Sequence, residues 1–235
     1  MTVQNIQPSK TSFFTLLKQA IRGDVKNFTT GSIDRAIFLL AVPMILEMVL
    51  ESLFALVDIY FVNKVSPAAA ATVGLTESSL TILYSIAWGL AMGATALIAR
   101  RAGEKDFKNA SSVAAQVILI AAAFSVLVSV IGILFPREIL AFMGADAALV
   151  EEHYGFTRLM LGSNIVIMLL FVNNGIFRGA GDASIAMRAL ILSNIINIIL
   201  DPLLIMGYGP FPEMGLMGAA YATTIGRGCG VLYQF

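Results

Sequence analysis

The chain has 235 residues, 58% hydrophobic and only 13% charged, with 15 Lys and Arg against 15 Asp and Glu. A soluble domain carries roughly 25% charged residues, so the composition excludes a water-soluble globular protein and points to lipid as the solvent. Zero net charge excludes a global field that would draw the protein to nucleic acid, and the single cysteine, Cys229, excludes an internal disulfide or a multi-cysteine metal site.

In chain order, residues 1–32 are polar and carry Lys10, Lys18, Arg22, Asp24 and Lys26. The first long apolar run, from Ala36, exceeds the roughly 7–15 residues of a signal core, so this segment is expected to be retained. Phe13, Phe14, Leu16, Leu17, Ala20 and Ile21 alternate with Lys18 and Arg22 between residues 13 and 28. That pattern suits a short amphipathic helix on a membrane surface; a disordered tail is the other reading.

A membrane span needs about 20 largely apolar residues. Six are predicted, at about 36–62, 72–99, 110–135, 150–177, 185–207 and 214–235, filled by Leu, Ile, Ala and Met at helical period. Polar breaks at 63–67, 100–108, 136–138, 178–182 and 207–212 divide them, and 139–143 reads as a short interfacial turn. Lys10, Lys18, Arg22, Lys26 and Arg35 precede the first span, Arg100, Arg101, Lys105 and Lys108 follow the second, and Arg178 and Arg188 flank the fourth break. The loops between are poor in Lys and Arg, so the N-terminus is expected to be cytoplasmic. The sixth span reaches Phe235 with no basic stop or interfacial anchor, so the chain is expected to be cut within or just after that helix.

A carboxylate at the bilayer centre costs about 2.5–3.5 kcal/mol even on the gentlest scale and marks a functional site by default. The first span holds Glu47, Glu51 and Asp58. At 100° per residue they share a stripe of about 40°, and Pro43 just before them can bend the helix. They read as functional groups or as glue paired with bases, of which the spans offer few. In the fifth span Asn194, Asn197 and Asp201 share one face, and Pro202 frees a carbonyl one turn back. An amide, a carboxylate and a free carbonyl suit a small hard cation or a relayed proton; interhelical hydrogen bonding is the alternative. Asp58 and Asp201 lie at comparable depth in two outward-running helices, so if those helices are neighbours the two acids share one buried pocket and titrate together.

Glu77, Thr81, Tyr84 and Trp88 form a polar-aromatic stripe on the second span, either cavity lining or packing. Gly89-x-x-x-Gly93, Gly175-x-x-x-Gly179 and Gly226-x-x-x-Gly230 read as close helix packing. His153, beside Glu151 and Glu152, reads as an interfacial polar residue rather than a ligand. Arg178-Gly179-Ala180-Gly181-Asp182 is no nucleotide loop, since no strand precedes it and no Walker lysine follows. No nucleophile elbow or zinc-hydrolase signature occurs, so an enzyme is not expected.

Several ordered stretches resemble the multidrug and toxic compound extrusion (MATE) family. They are Pro43-Met44-Ile45-Leu46 and Leu56-Val57-Asp58-Ile59-Tyr60-Phe61-Val62, then Ala99-Arg100-Arg101-Ala102-Gly103-Glu104-Lys105-Asp106 and Arg178-Gly179-Ala180-Gly181-Asp182. Asn197-x-x-x-Asp201-Pro202-Leu203-Leu204-Ile205-Met206-Gly207 and Gly215-x-x-Gly218-Ala219-Ala220-Tyr221-Ala222-Thr223 complete the set. Asn63-Lys64 stands where many members have Gly.

The resemblance, from about Ser32 onward, implies an all-α integral membrane fold. Residues 1–32 are then a cytoplasmic segment, and 33–235 the N-terminal six-helix lobe of a two-lobed transporter whose C-terminal lobe is absent. It implies an antiporter that exports cationic or amphipathic compounds in exchange for H⁺ or Na⁺, in a bacterial inner membrane, with no cofactor beyond the coupling ion. Asp58, Asn197, Asp201 and Thr223 match the family's ion-coupling positions, with a possible Na⁺ at Asp58, Asn197 and Asp201, and Asn174 matches a cavity amide, with Asn173 as competitor. Glu47, Glu51, Glu77 and Tyr84 are added as substrate-cavity candidates. The alternatives are a lipid-linked precursor flippase of related fold, disfavoured by the few intramembrane bases, and a half without autonomous transport.

Overall fold

The computed structural model describes residues 12–23 and 32–235, which hold nine α-helices and no strand. They are α1 (Phe13–Arg22), α2 (Ile33–Val62), α3 (Pro67–Gly103), α4 (Phe107–Leu134), α5 (Pro136–Phe142), α6 (Ala147–Gly162), α7 (Asn164–Gly179), α8 (Ala183–Ile205) and α9 (Leu216–Gln234). Local chemistry sets the ends. Ser32, Ser66, Asp106 and Asp146 cap α2, α3, α4 and α6 by accepting from the amides of Arg35, Ala69, Asn109 and Leu149. Pro67 and Pro136 open α3 and α5, where their missing N–H costs nothing. In the α3–α4 turn, Arg100 and Arg101 bind Glu104 at 3.0 Å each and hold its carboxyl below the usual range.

Among the described residues five helical stretches are long and apolar enough to cross a membrane: Ile33–Val62, Pro67–Gly103, Phe107–Leu134, Ala147–Gly179 and Ala183–Ile205. Five of the six expected spans meet this measure of length and composition. The sixth expected span is helical as α9, but its 19 residues include Thr223, Thr224, Arg227 and Gln234 and three glycines between 226 and 230. That polarity is spent inward, for Thr223, Arg227 and Gln234 are all buried. The first three spans bury only 22% of their most apolar window, whereas Ala147–Gly179 and α8 bury 50%. Thus α6–α7 and α8 sit centrally, while α2, α3 and α4 turn Ile45, Leu56, Ile82, Leu119 and Leu127 outward, as a lipid-facing wall requires.

The expected fourth span is two helices meeting at Ser163. Asn164 Nδ2 donates to the Ser125 carbonyl at 3.2 Å, to Ser129 Oγ at 2.9 Å and to the Leu161 carbonyl at 2.6 Å, so the break is tied to α4. The expected turn at 139–143 lies within α5. The amphipathic helix exists but ends at Arg22, with Gly23 left-handed at φ 69°, and it docks on α2 and α8 through Ala20. Lys10, Asp24, Lys26 and Phe28 lie outside the described residues.

Two of the three expected glycine faces are contacts. A Cβ on Gly175 would stand 2.5 Å from the Ala91 carbonyl oxygen, and one on Gly226 would stand 2.9 Å from that of Ser193. These glycines bring α7 onto α3 and α9 onto α8. Gly89 and Gly93 have nothing within 4 Å of a built Cβ; their face is open, because α3 packs through the Ala87, Ala91 and Ala94 side instead.

Candidate ion and substrate site

Helix α8 places Asn197 and Asp201 one turn apart, both fully buried. Asn197 Nδ2 donates to Asp201 Oδ1 at 3.2 Å. Asn194, expected on the same face, instead donates to the Leu50 carbonyl of α2 at 2.9 Å, so it joins helices rather than contributing to a site. That bond belongs to an extended α2–α8 contact, which makes the two acid-bearing helices neighbours. Asp58 of α2 and Asp201 of α8 interact electrostatically.

Asp201 Oδ2, Asn197 Oδ1 and Asp58 Oδ1 are buried acceptors with no hydrogen-bond partner. Each such group costs about 1–3 kcal/mol. Three hard oxygens left unpaired, two of them on carboxylates, suit a proton or a small hard cation.

Gly226 lets the α9 backbone close on Asn197, whose Cβ would be 3.3 Å from an added Cβ. One turn earlier on α9, Thr223 reaches a cavity of about 420 Å³ that Asp58 also lines. Glu51, Glu77, Tyr84 and Arg227 complete its polar wall, while Asn197 and Asp201 lie behind it.

The cavity is not the one-sided acidic surface that the α2 stripe suggests. Arg227 donates to both oxygens of Glu51, at 2.8 and 2.9 Å, and its guanidinium lies 4.4 Å from the Phe54 ring centroid. Arg178 donates to Glu47 at 3.0 Å. Of the two readings left open for Glu47 and Glu51, the structure shows pairing with bases: each has its own arginine, in ion pairs that brace α2 against α7 and α9. Glu77 accepts a long bond from Tyr84 Oη, at 3.4 Å.

A second cavity of about 230 Å³ is lined by Glu47, Arg178, Asn174, Trp88, Phe171 and Met92 among others, and Glu51 borders both cavities. Asn174 accepts from Gln234 at 2.6 Å; the neighbouring Asn173 is buried with its Nδ2 unpartnered and lines neither cavity.

Arg227, Gln234 and Asn164 were missed as partners by sequence reasoning. Arg227 did signal itself, as a charge inside an apolar helix one turn after Thr223, but nothing local names Glu51 as its mate.

The model of the MatE family matches residues 43–203. The probable multidrug resistance protein YoeA of Bacillus subtilis (strain 168) is 31% identical over 195 residues, covering 83% of this chain and 42% of that protein. A protein of Shewanella oneidensis named FAD transporter is 28% identical, covering 85% and 44%. Among solved structures, the outward-facing conformation of a multidrug resistance MATE family transporter of the MOP superfamily superimposes with a TM-score of 0.79 at 31% identity. It is matched over 92% of this chain and 45% of its own length. The chain spans less than half the length of each of these relatives.

Proposed function

The chain belongs to the MatE family, and from that premise we propose that residues 33–235 act as the N-terminal lobe of a secondary antiporter. The antiporter exports cationic or amphipathic compounds in exchange for H⁺ or Na⁺. A coverage of under half of each relative is what one lobe of a two-lobed transporter gives, and a second lobe must complete the alternating-access pair. The protein sits in a bacterial inner membrane with its N-terminus in the cytoplasm.

In this reading Asp58, Asn197, Asp201 and Thr223 take the coupling ion. The observation that carries it is the juxtaposition of Asp58, which lines the cavity, with Asp201, which does not, each with an unpaired acceptor oxygen, as Asn197 also has. Exchange follows from charge. A proton or Na⁺ at Asp58–Asp201 removes negative potential from the 420 Å³ cavity, and a cationic substrate there disfavours the ion in turn. Each ligand expels the other, and Asp58, which faces the cavity and also interacts with Asp201, transmits the competition. Glu77 and Tyr84 line the substrate side; Glu47, Glu51 and Asn174 border it from within their ion pairs and hydrogen bonds.

The relative named FAD transporter raises the question of an anionic substrate. Glu51, Asp58 and Glu77 outnumber Arg227 in this cavity, and Arg227 is already bound to Glu51. That balance favours a cation and disfavours a phosphorylated compound, including the lipid-linked precursor of a flippase.

Transport tests the reading. Proteoliposomes carrying the full-length protein should move ethidium when an H⁺ gradient or a Na⁺ gradient is imposed, and the effective gradient names the coupling ion. Equal ethidium movement with no gradient of either kind would sink the antiport proposal.

A further inference from the structure

The large cavity contains two pairings of a carboxylate with an aromatic ring, and Arg227 joins only one. At α2, Arg227 stands between Glu51 and Phe54, donating to both carboxylate oxygens with its Cζ over the ring. This is how a planar, delocalised cation is held in this cavity: an acid at its edge, an aromatic face beneath.

At α3, Glu77 and Tyr84 lie two turns apart on one face and line the same cavity. Their mutual bond, at 3.4 Å, is at the limit of a hydrogen bond. Among the described residues Glu77 makes no ion pair with a Lys or Arg, although Arg227 is near enough to act on it electrostatically. The three cavity carboxylates thus have three situations. Glu51 is neutralised by Arg227, Asp58 lies within electrostatic reach of both Asp201 and Glu77, and Glu77 has no ion pair among the described residues and only the long bond from Tyr84.

We propose that Glu77 and Tyr84 form a recognition subsite for a planar, delocalised organic cation, an aryl amidinium or N-alkylated heteroaromatic, which docks at α3 as the Arg227 guanidinium docks at α2. The inference rests on the export reading and adds to it the atoms that read the charge. The Tyr84 ring continues through Phe171, at 5.8 Å between centroids, to Trp88 at 6.1 Å from Phe171. The rings are tilted to one another, by 58° and 47°, so they offer a cation successive faces rather than one plane, leading to the second cavity, which Trp88 and Phe171 line. The weak Tyr84–Glu77 bond yields readily, freeing the carboxylate for a charge-assisted contact.

Binding to the purified full chain in nanodiscs tests the subsite, with two fluorescent probes: ethidium, a planar cation, and N-phenyl-1-naphthylamine, which is neutral. Glu77→Gln should weaken ethidium about tenfold or more, the loss of one contact to a charged group, and leave the neutral probe within about twofold. Glu77→Asp, which keeps the charge, should recover most of the ethidium affinity. Parental ethidium binding in Glu77→Gln, an equal loss for both probes, or a Glu77→Asp as weak as Glu77→Gln would each overturn the subsite and leave the transporter reading standing. A parent chain that binds no ethidium would overturn both.

Discussion

Arg227 and Glu51 are 176 positions apart, yet they make the best-formed ion pair inside the membrane-spanning region. Removing one partner of a buried pair strands the other, and replacing both is far milder. Arg227→Met should therefore lower stability by about 3 kcal/mol, the low end because Glu51 borders a cavity, or roughly 6–12 °C of melting temperature in detergent. Glu51→Gln with Arg227→Met should recover most of that loss. A double variant no better than the single would mean the pair is not a closed unit. The acids themselves were legible in the sequence, because a carboxylate in an apolar span is conspicuous. Their division into Glu47 and Glu51, each paired with an arginine, and Asp58 and Glu77, which have no such pair, was not, because each arginine lies on a distant helix. The shared face of Asn197 and Asp201 was legible, since periodicity acts locally; for Asn194 the alternative of an interhelical bond is the one observed, in its bond to Leu50.

Helix contacts separate glycines that look alike in the sequence. Gly175 has the Ala91 backbone 2.5 Å from where its Cβ would be, while Gly89 has open space. Gly175→Ala should cost about 1–3 kcal/mol by overpacking the α3–α7 contact. Gly89→Ala should be neutral or stabilise by up to about 1 kcal/mol through helix propensity. Thermal unfolding of the two variants checks the contrast, and an equal loss in both would contradict the packing. The break between α6 and α7 shows the opposite limit. Its apolar run reads as one span, and only the three bonds of Asn164 to α4 and α6 reveal why the helix is interrupted at Ser163. Likewise α9 is legible as a helix, but it is less apolar than the five long spans, and its Thr223, Arg227 and Gln234 are buried.

Across the whole molecule, α2, α3 and α4 expose a wall of apolar side chains, α2 and α3 also line the large cavity with α9, and α8 is half-buried. The proposed orientation, with the N-terminus in the cytoplasm, follows the distribution of Lys and Arg. With Cys229 replaced by Ser, a cysteine at Ser12 should resist a membrane-impermeant thiol reagent in intact cells, and one at Ser66, beyond the first span, should react. The reverse pattern would invert the topology. In the proposed reading, transport depends on the ion site. If Asp58 and Asp201 share one coupling event, they fail together. The decisive measurement is gradient-driven ethidium efflux by the full-length protein with Asp58→Asn, Asp201→Asn and both. A single shared site requires collapse in each single variant and no further loss in the double, while normal efflux in both single variants would contradict it.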